Sequence, residues 1–178
     1  MASPVQTPQQ HRRSRAPAPR WLAPPSGFAK INVDAEVRKQ NNAGAVAAVC
    51  RMDDGTFLGA SAVSITGSSE PTILEALASR EALAMAADLQ LEQFRVASDC
   101  LEVIKSIDGE YLGRFSSVLH EIKVRRRDFT SVEFKHEQRE SNKEAHSLAR
   151  SLAYLDRGRH VWLIDSPDHS CIPMNLSI

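Results

Sequence analysis

The stretch FAKINVDAEV, residues 28–37, decides how the rest of the chain is read. Ala29, Ile31, Val33, Ala35 and Val37 alternate with Lys30, Asn32, Asp34 and Glu36, the two-residue period of a half-buried strand. A second apolar, Val-bearing run follows, NNAGAVAAVCRM at 41–52, entered through a turn of Asn41, Asn42 and Gly44. Asp53-Asp54-Gly55 is a hairpin signal, and TFLGASAVSI at 56–65 is the strand it leads to. Three strands in meander order are expected.

Beyond residue 66 the period changes. TGSSEPT at 66–72 is a loop whose Pro71 suits the opening of a helix, and residues 72–89 are almost all helix formers. QFRVASD (93–99) is a short apolar strand ending at Asp99, and CLEVIKSIDGE (100–110) is a helix closed by Gly109. FSSVLHEIKVRRRD (115–128) is a helix with a basic end. FTSVEFKHE (129–137) alternates as a fifth strand, and SNKEAHSLARSLAYL (141–155) is the last long helix. In that last helix Ser141 and Glu144 have the spacing of a capping box. The order β-β-β-α-β-α-α-β-α predicts an α/β fold with one five-stranded mixed sheet, three strands antiparallel and then two parallel, flanked by helices. Residues 1–20 read as a disordered, basic, Pro-rich segment, 21–155 as one folded domain, and 156–178 as an irregular tail with HVWLI docked on the body.

A chain of 178 residues suits one domain with a real core, and 42% hydrophobic with 25% charged residues is the balance of a globular protein. Formal net charge is zero but unevenly spread. Residues 1–33 carry five basic groups and no acid, which leaves the remainder at −5. Bulk charge therefore does not draw the body to nucleic acid, and a polyanion would need local patches or metal ions. Cys50, Cys100 and Cys171 are odd in number and far apart, fitting neither a disulfide framework nor a zinc spacing. A reducing, intracellular setting follows as the expectation, with nucleus or cytoplasm undecided. No apolar run reaches membrane-spanning length, and the first 20 residues contain no hydrophobic signal segment. We expect a monomer without a small-molecule cofactor.

Three acids stand out against this frame. Asp34 closes the polar face of the first strand and, read alone, is a solvated carboxylate. Glu75 sits on a helix whose apolar positions 73, 74, 77, 78, 82, 84, 85, 86 and 89 cover well over half of its circumference. Glu75 and Glu81 fall in or beside that arc, so each needs a partner: an arginine such as Arg80, a hydrogen-bond network, or a metal. Asp99 can be a helix cap with Glu102 three residues on, or it can mark the carboxyl end of a parallel strand, where open α/β sheets place ligands. Asp34 and Asp99 converge if the first and fourth strands are neighbours. Converging carboxylates hold hard divalent cations, and two such ions about 3.5–4 Å apart serve in-line phosphodiester hydrolysis.

Four blocks carry a resemblance. W-x-x-P-x-x-G-x-x-K-I-N-V-D at 21–34, ILEALASREALAMA at 73–86, VASDCLEVIKSI at 96–107 and FKHEQRESNKEAHSLAR at 134–150 occur in order with suitable gaps. Together they resemble plant type 1 ribonuclease H-like domains associated with non-LTR retroelement reverse transcriptases. The likeness covers residues 21–155, and the tail GRHVWLIDSP…CIPMN looks like that of grass members. It implies a ribonuclease H-like fold and cleavage of the RNA strand of RNA–DNA hybrids with two magnesium ions on an Asp-Glu-Asp-Asp set. On this chain the first three acids fall on Asp34, Glu75 and Asp99. The auxiliary histidine falls near His136, in the loop after the fifth strand, and the motif's asparagine on Asn142. The fourth metal-binding acid falls on His146, and Ala35 stands where the family has Gly.

His146 lies about 90° from the centre of the stripe formed by Ala145, Leu148, Ala149 and Leu152, on the flank of its helix. It reads either as a partly exposed helix residue or as a metal ligand. Imidazole suits zinc, copper or nickel better than magnesium, so weakened magnesium binding, with manganese tolerated, is the expectation. KVRRRD at 123–128 either tracks a phosphate backbone or is a solvated helix end whose cations complement the macrodipole. The sequence thus supports a metal-dependent hybrid ribonuclease. Its alternative is a retroelement-derived module that binds nucleic acid or protein without cleaving.

Overall fold

The computed structural model describes residues 21–152 and 157–176. The expectation for residues 1–20 lies outside the described residues, as does the end of the last predicted helix. The strands are β1 (Ala29–Arg38), β2 (Ala43–Arg51), β3 (Phe57–Thr66), β4 (Gln93–Ser98), β5 (Ser131–His136) and β6 (Arg159–Trp162). The helices are α1 (Pro71–Asp88), α2 (Leu101–Asp108), α3 (Ser116–Arg125) and α4 (Lys143–Ser151). The predicted element order holds as far as α4.

One mixed sheet runs β5-β4-β1-β2-β3-β6. β1, β2 and β3 pair antiparallel, while β4 lies parallel to β1 and β5 parallel to β4. The expected five strands thus become six. Arg159–Trp162, in the segment read as irregular, pairs antiparallel with β3 from Ala60 to Val63. Four residues are too short for a period to show in the sequence. Arg159 secures the addition by reaching Glu81 Oε1 at 2.7 Å and Asp88 Oδ2 at 2.5 Å on α1.

The central strands are buried on both faces. On one side Ile31, Val33, Val46, Ala48 and Cys50 pack with Leu74, Leu83 and Met85 of α1 and with residues of α2 and α3. On the other, Ala45, Ala47, Val49, Ala60 and Ala62 pack under Ala145, Leu148 and Ala149 of α4 and under Ile172 of the tail. Small residues bring α1 close to the sheet. A Cβ on Gly44 would lie 2.4 Å from Leu74 Cδ1, and one on Gly59 2.5 Å from Met85 Cε. The polar side of β1 is therefore not solvated, as its alternation suggested. Lys30, Asn32 and Asp34 are buried, the first two against Trp21 and the third against His146 of α4.

Two local expectations are corrected. The Ser141/Glu144 capping box does not form: α4 follows Asn142 with no side-chain cap, and Glu144 turns to Arg51 instead. Asp99 does not cap α2, whose preceding residue is Cys100. Among the described residues no helix is long and apolar enough to cross a membrane.

Candidate metal centre

Topology builds the centre. Parallel pairing of β1 with β4 sets Asn32 beside Ala97, so that Asp34 and Asp99 emerge at the same end of the sheet. Pro71 opens α1 above that end, and Glu75 lies one turn in. One carboxylate oxygen from each of Asp34, Glu75 and Asp99 lies within 4.8 Å of the other two.

The electrostatics of this trio are unfavourable without a cation. Burial, reinforced by the charges of Asp34 and Asp99, pushes the Glu75 carboxyl up to about 9, against the ordinary 4.5. The Ala35 backbone and the Ser98 side chain hydrogen-bond it, yet its Oε2 is buried with no hydrogen-bond partner. Burial also raises Asp34; a hydrogen bond from His146 opposes the rise and the Asp99 charge adds to it. Three converging carboxylates, one with an orphaned oxygen, fit a hard divalent cation, which takes oxygen ligands.

The arginine expected beside Glu75 or Glu81 does neither job. Arg80 pairs with Glu121 at 3.0 Å, whereas Glu81 accepts from Ser61 Oγ and from Arg159, each at 2.7 Å. Glu81 is thus satisfied structurally and Glu75 is left for the centre.

His146 Nδ1 lies 2.6 Å from Asp34 Oδ2. With Nδ1–H donating to Asp34, Nε2 is free to accept from the Arg139 guanidinium at 3.3 Å. The ring therefore touches one acid of the trio and is not grouped with Glu75 and Asp99. His136 is the last residue of β5 rather than part of the following loop. It is exposed, with Nε2 3.2 Å from the Asp99 carbonyl oxygen. Asn142 Nδ2 donates to the Val33 carbonyl at 2.6 Å, tying the start of α4 to the residue before Asp34.

The basic run at 123–128 sits elsewhere. It precedes β5, at the end of the sheet opposite His136, and its groups are engaged locally. Lys123 binds the Gly109 carbonyl, Arg125 pairs with Glu121, and Arg126 holds Asp108 and the Val132 carbonyl. Sequence reasoning passed over the roles of Lys30 and Arg51, both fully buried on β1 and β2 and paired with Glu137 and Glu144. Their signal was a cation inside an otherwise strand-like apolar run.

A six-stranded mixed sheet with carboxylates at the β1/β4 end defines a ribonuclease H-like α/β protein. The chain belongs to the reverse transcriptase-like family, which matches residues 32–152. Solved structures agree on the fold. The N-terminal RNase H domain of a Mycobacterium tuberculosis protein superposes with a TM-score of 0.63 at 20% identity, covering 70% of this chain and 91% of that one. RNase H1 of the archaeon Halobacterium salinarum gives 0.62 at 23% identity, covering 72% and 98%. LC11-RNase H1, solved in complex with an RNA/DNA hybrid, gives 0.62 at 18% identity, covering 69% and 94%. No curated protein matches the chain in sequence.

Proposed function

We propose that the protein is a metal-dependent endonuclease acting on the RNA strand of RNA–DNA hybrids, with residues 21–155 as its catalytic domain. Asp34, Glu75 and Asp99 hold the divalent cations in this reading. The observation that carries it is the convergence of these three acids within 4.8 Å, with a Glu75 oxygen left unpartnered. Family membership and the hybrid-bound relative support the substrate class. Bound magnesium, or manganese, would supply the activated water and the stabilisation of the leaving oxygen. Glu75 must give up its proton to bind a cation, and Asp34 is held in place by the His146 hydrogen bond. His136, exposed at the rim, accepts or delivers a proton at Nε2 as product leaves. The quoted sequence blocks further support descent from a plant non-LTR retroelement.

A second reading has its own observation. His146 occupies the Asp34 Oδ2 at 2.6 Å and adds no negative charge, which favours a weakened or non-cleaving module that still binds nucleic acid or protein. A cleavage assay on an RNA–DNA hybrid, with magnesium and manganese in parallel, separates the two. Wild type should cleave, Asp34→Asn should not, and His146→Asp should raise magnesium-dependent activity. Hybrid binding without cleavage under either metal would establish the second reading, and activity indifferent to Asp34→Asn would refute the site.

A further inference from the structure

Lys30 and Arg51 are register partners on antiparallel β1 and β2. Both are almost completely buried, at 0% and 1% exposure. Two cations directly opposite one another on a covered face repel, so the pairing persists only if each is neutralised. The acids that do so come from a single segment. Lys30 Nζ donates to Glu137 Oε2 at 2.6 Å and to the Leu22 carbonyl at 2.7 Å. Arg51 makes a two-pronged pair with Glu144, Nε to Oε2 at 2.9 Å and Nη2 to Oε1 at 2.7 Å. Its remaining donors take the Gly55 and Pro173 carbonyls at 3.0 and 2.6 Å. Glu137 follows His136 immediately, and Glu144 lies two residues before His146.

We propose that the Lys30–Arg51 cross-strand cation pair is a two-point clamp on residues 136–146, positioning His136 against Asp99 and His146 against Asp34. Between the two anchors the segment is mostly exposed and consists of a single 3-10 turn and the start of α4, with the buried Asn142, bonded to the Val33 carbonyl, as a further tether. Buried ion pairs are poor sources of net stability compared with apolar residues of the same volume. Their use here is geometric: each fixes one end of the histidine-bearing segment in register with the sheet that carries the acids. Lys30, Arg51, Glu137 and Glu144 are positioning residues and touch no reacting atom. The benefit for cleavage rests on the function proposed above, whereas the clamp itself does not.

Amide hydrogen exchange of the metal-free protein tests it. The Glu137 amide donates to the Ser98 carbonyl and the His146 amide to the Asn142 carbonyl, so both report on the segment. In Glu137→Gln and Glu144→Gln, these amides should exchange at least tenfold faster than any change at Ala47 of β2 accounts for. The His136 and His146 imidazole NMR signals should move toward those of free histidine. In the double variant Lys30→Met/Glu137→Met, global stability should return to at least the wild-type level while the segment stays fast. Segment and strand amides accelerating together, or the apolar double variant restoring segment protection, would overturn the clamp and leave a packing role. If a single variant fails to fold, the double variant decides alone. A protein that never cleaves leaves this test intact; in one that does, Glu137→Gln should lower kcat with KM nearly unchanged.

Discussion

Replacing Glu75 by glutamine removes the group that makes the metal-free centre unfavourable, while its volume and hydrogen-bonding capacity are kept. In the folded protein the Glu75 carboxyl is held at about 9 instead of 4.5, so the native state retains a proton that the unfolded chain gives up. A pKa raised by folding contributes stability that is complete below the unfolded value and drains away as pH rises toward the folded one. Going from about pH 5.5 to about pH 8.0, at about 1.36 kcal/mol per unit, the loss is at most about 3.4 kcal/mol. The centre opens to solvent at the end of the sheet, where an effective dielectric nearer 20 applies, and we expect about 1–2 kcal/mol. Denaturant unfolding in EDTA at the two pH values measures this directly. Wild type should be less stable at the higher pH, and Glu75→Gln should recover most of the difference. Manganese at a hundredfold excess over its Kd should restore wild type by about 2.7 kcal/mol and should stabilise Glu75→Gln much less. If Glu75→Gln costs the same stability at both pH values, Glu75 is satisfied in a way the structure does not contain, and the argument fails.

Two further outcomes follow from packing. Arg159→Met strips buried Glu81 of its cation and leaves only the Ser61 hydroxyl, so thermal unfolding should show a loss of about 1–3 kcal/mol. The double variant with Glu81→Gln should recover most of it; no loss in Arg159→Met would mean that β6 is held by its backbone pairing alone. Gly44→Ala drives a Cβ to 2.4 Å from Leu74 Cδ1 and 2.9 Å from the Glu36 carbonyl oxygen, costing about 1–3 kcal/mol. Because Leu74 precedes Glu75, the same substitution should also weaken manganese binding by isothermal titration; unchanged affinity would show that the first turn of α1 absorbs the strain.

What could be read from the sequence depended on whether an element declares itself by period. The alternation of residues 29–37 and the continuous helix formers after Pro71 gave strand and helix unaided, whereas the meeting of β1 and β4 stood only as a condition until the parallel pairing met it. The burial of the polar face of β1 was not legible. Lys30, Asn32 and Asp34 look like solvent-facing residues until Trp21, Glu137 and His146 close over them. The same blindness hid Arg51 and Glu144, whose pairing is a matter of tertiary geometry, and made Ser141-x-x-Glu144 look like a cap. β6 was missed because Arg159–Trp162 becomes a strand only by adding to the edge of β3. Of the three acids only Glu75 declared itself, as a carboxylate in an apolar arc; Asp34 alone read as solvated and Asp99 as a cap, and it was the resemblance that joined them into a set. The His146–Asp34 contact was not legible, because the flank of a helix names no partner.

The origin of the three acids in three separate elements bears on how the molecule acquires its ion. Asp34 ends the buried part of β1, Glu75 rides the first crossover helix, and Asp99 follows the strand that closes the crossover. A chain that has formed only its β1–β3 meander holds one of the three, and adding α1 still leaves the set incomplete. Cation binding is therefore coupled to the pairing of β4 against β1 and cannot assist the steps before it. Metal should act on this protein as a lock on the finished fold, slowing its unfolding and leaving the rate at which it folds almost untouched.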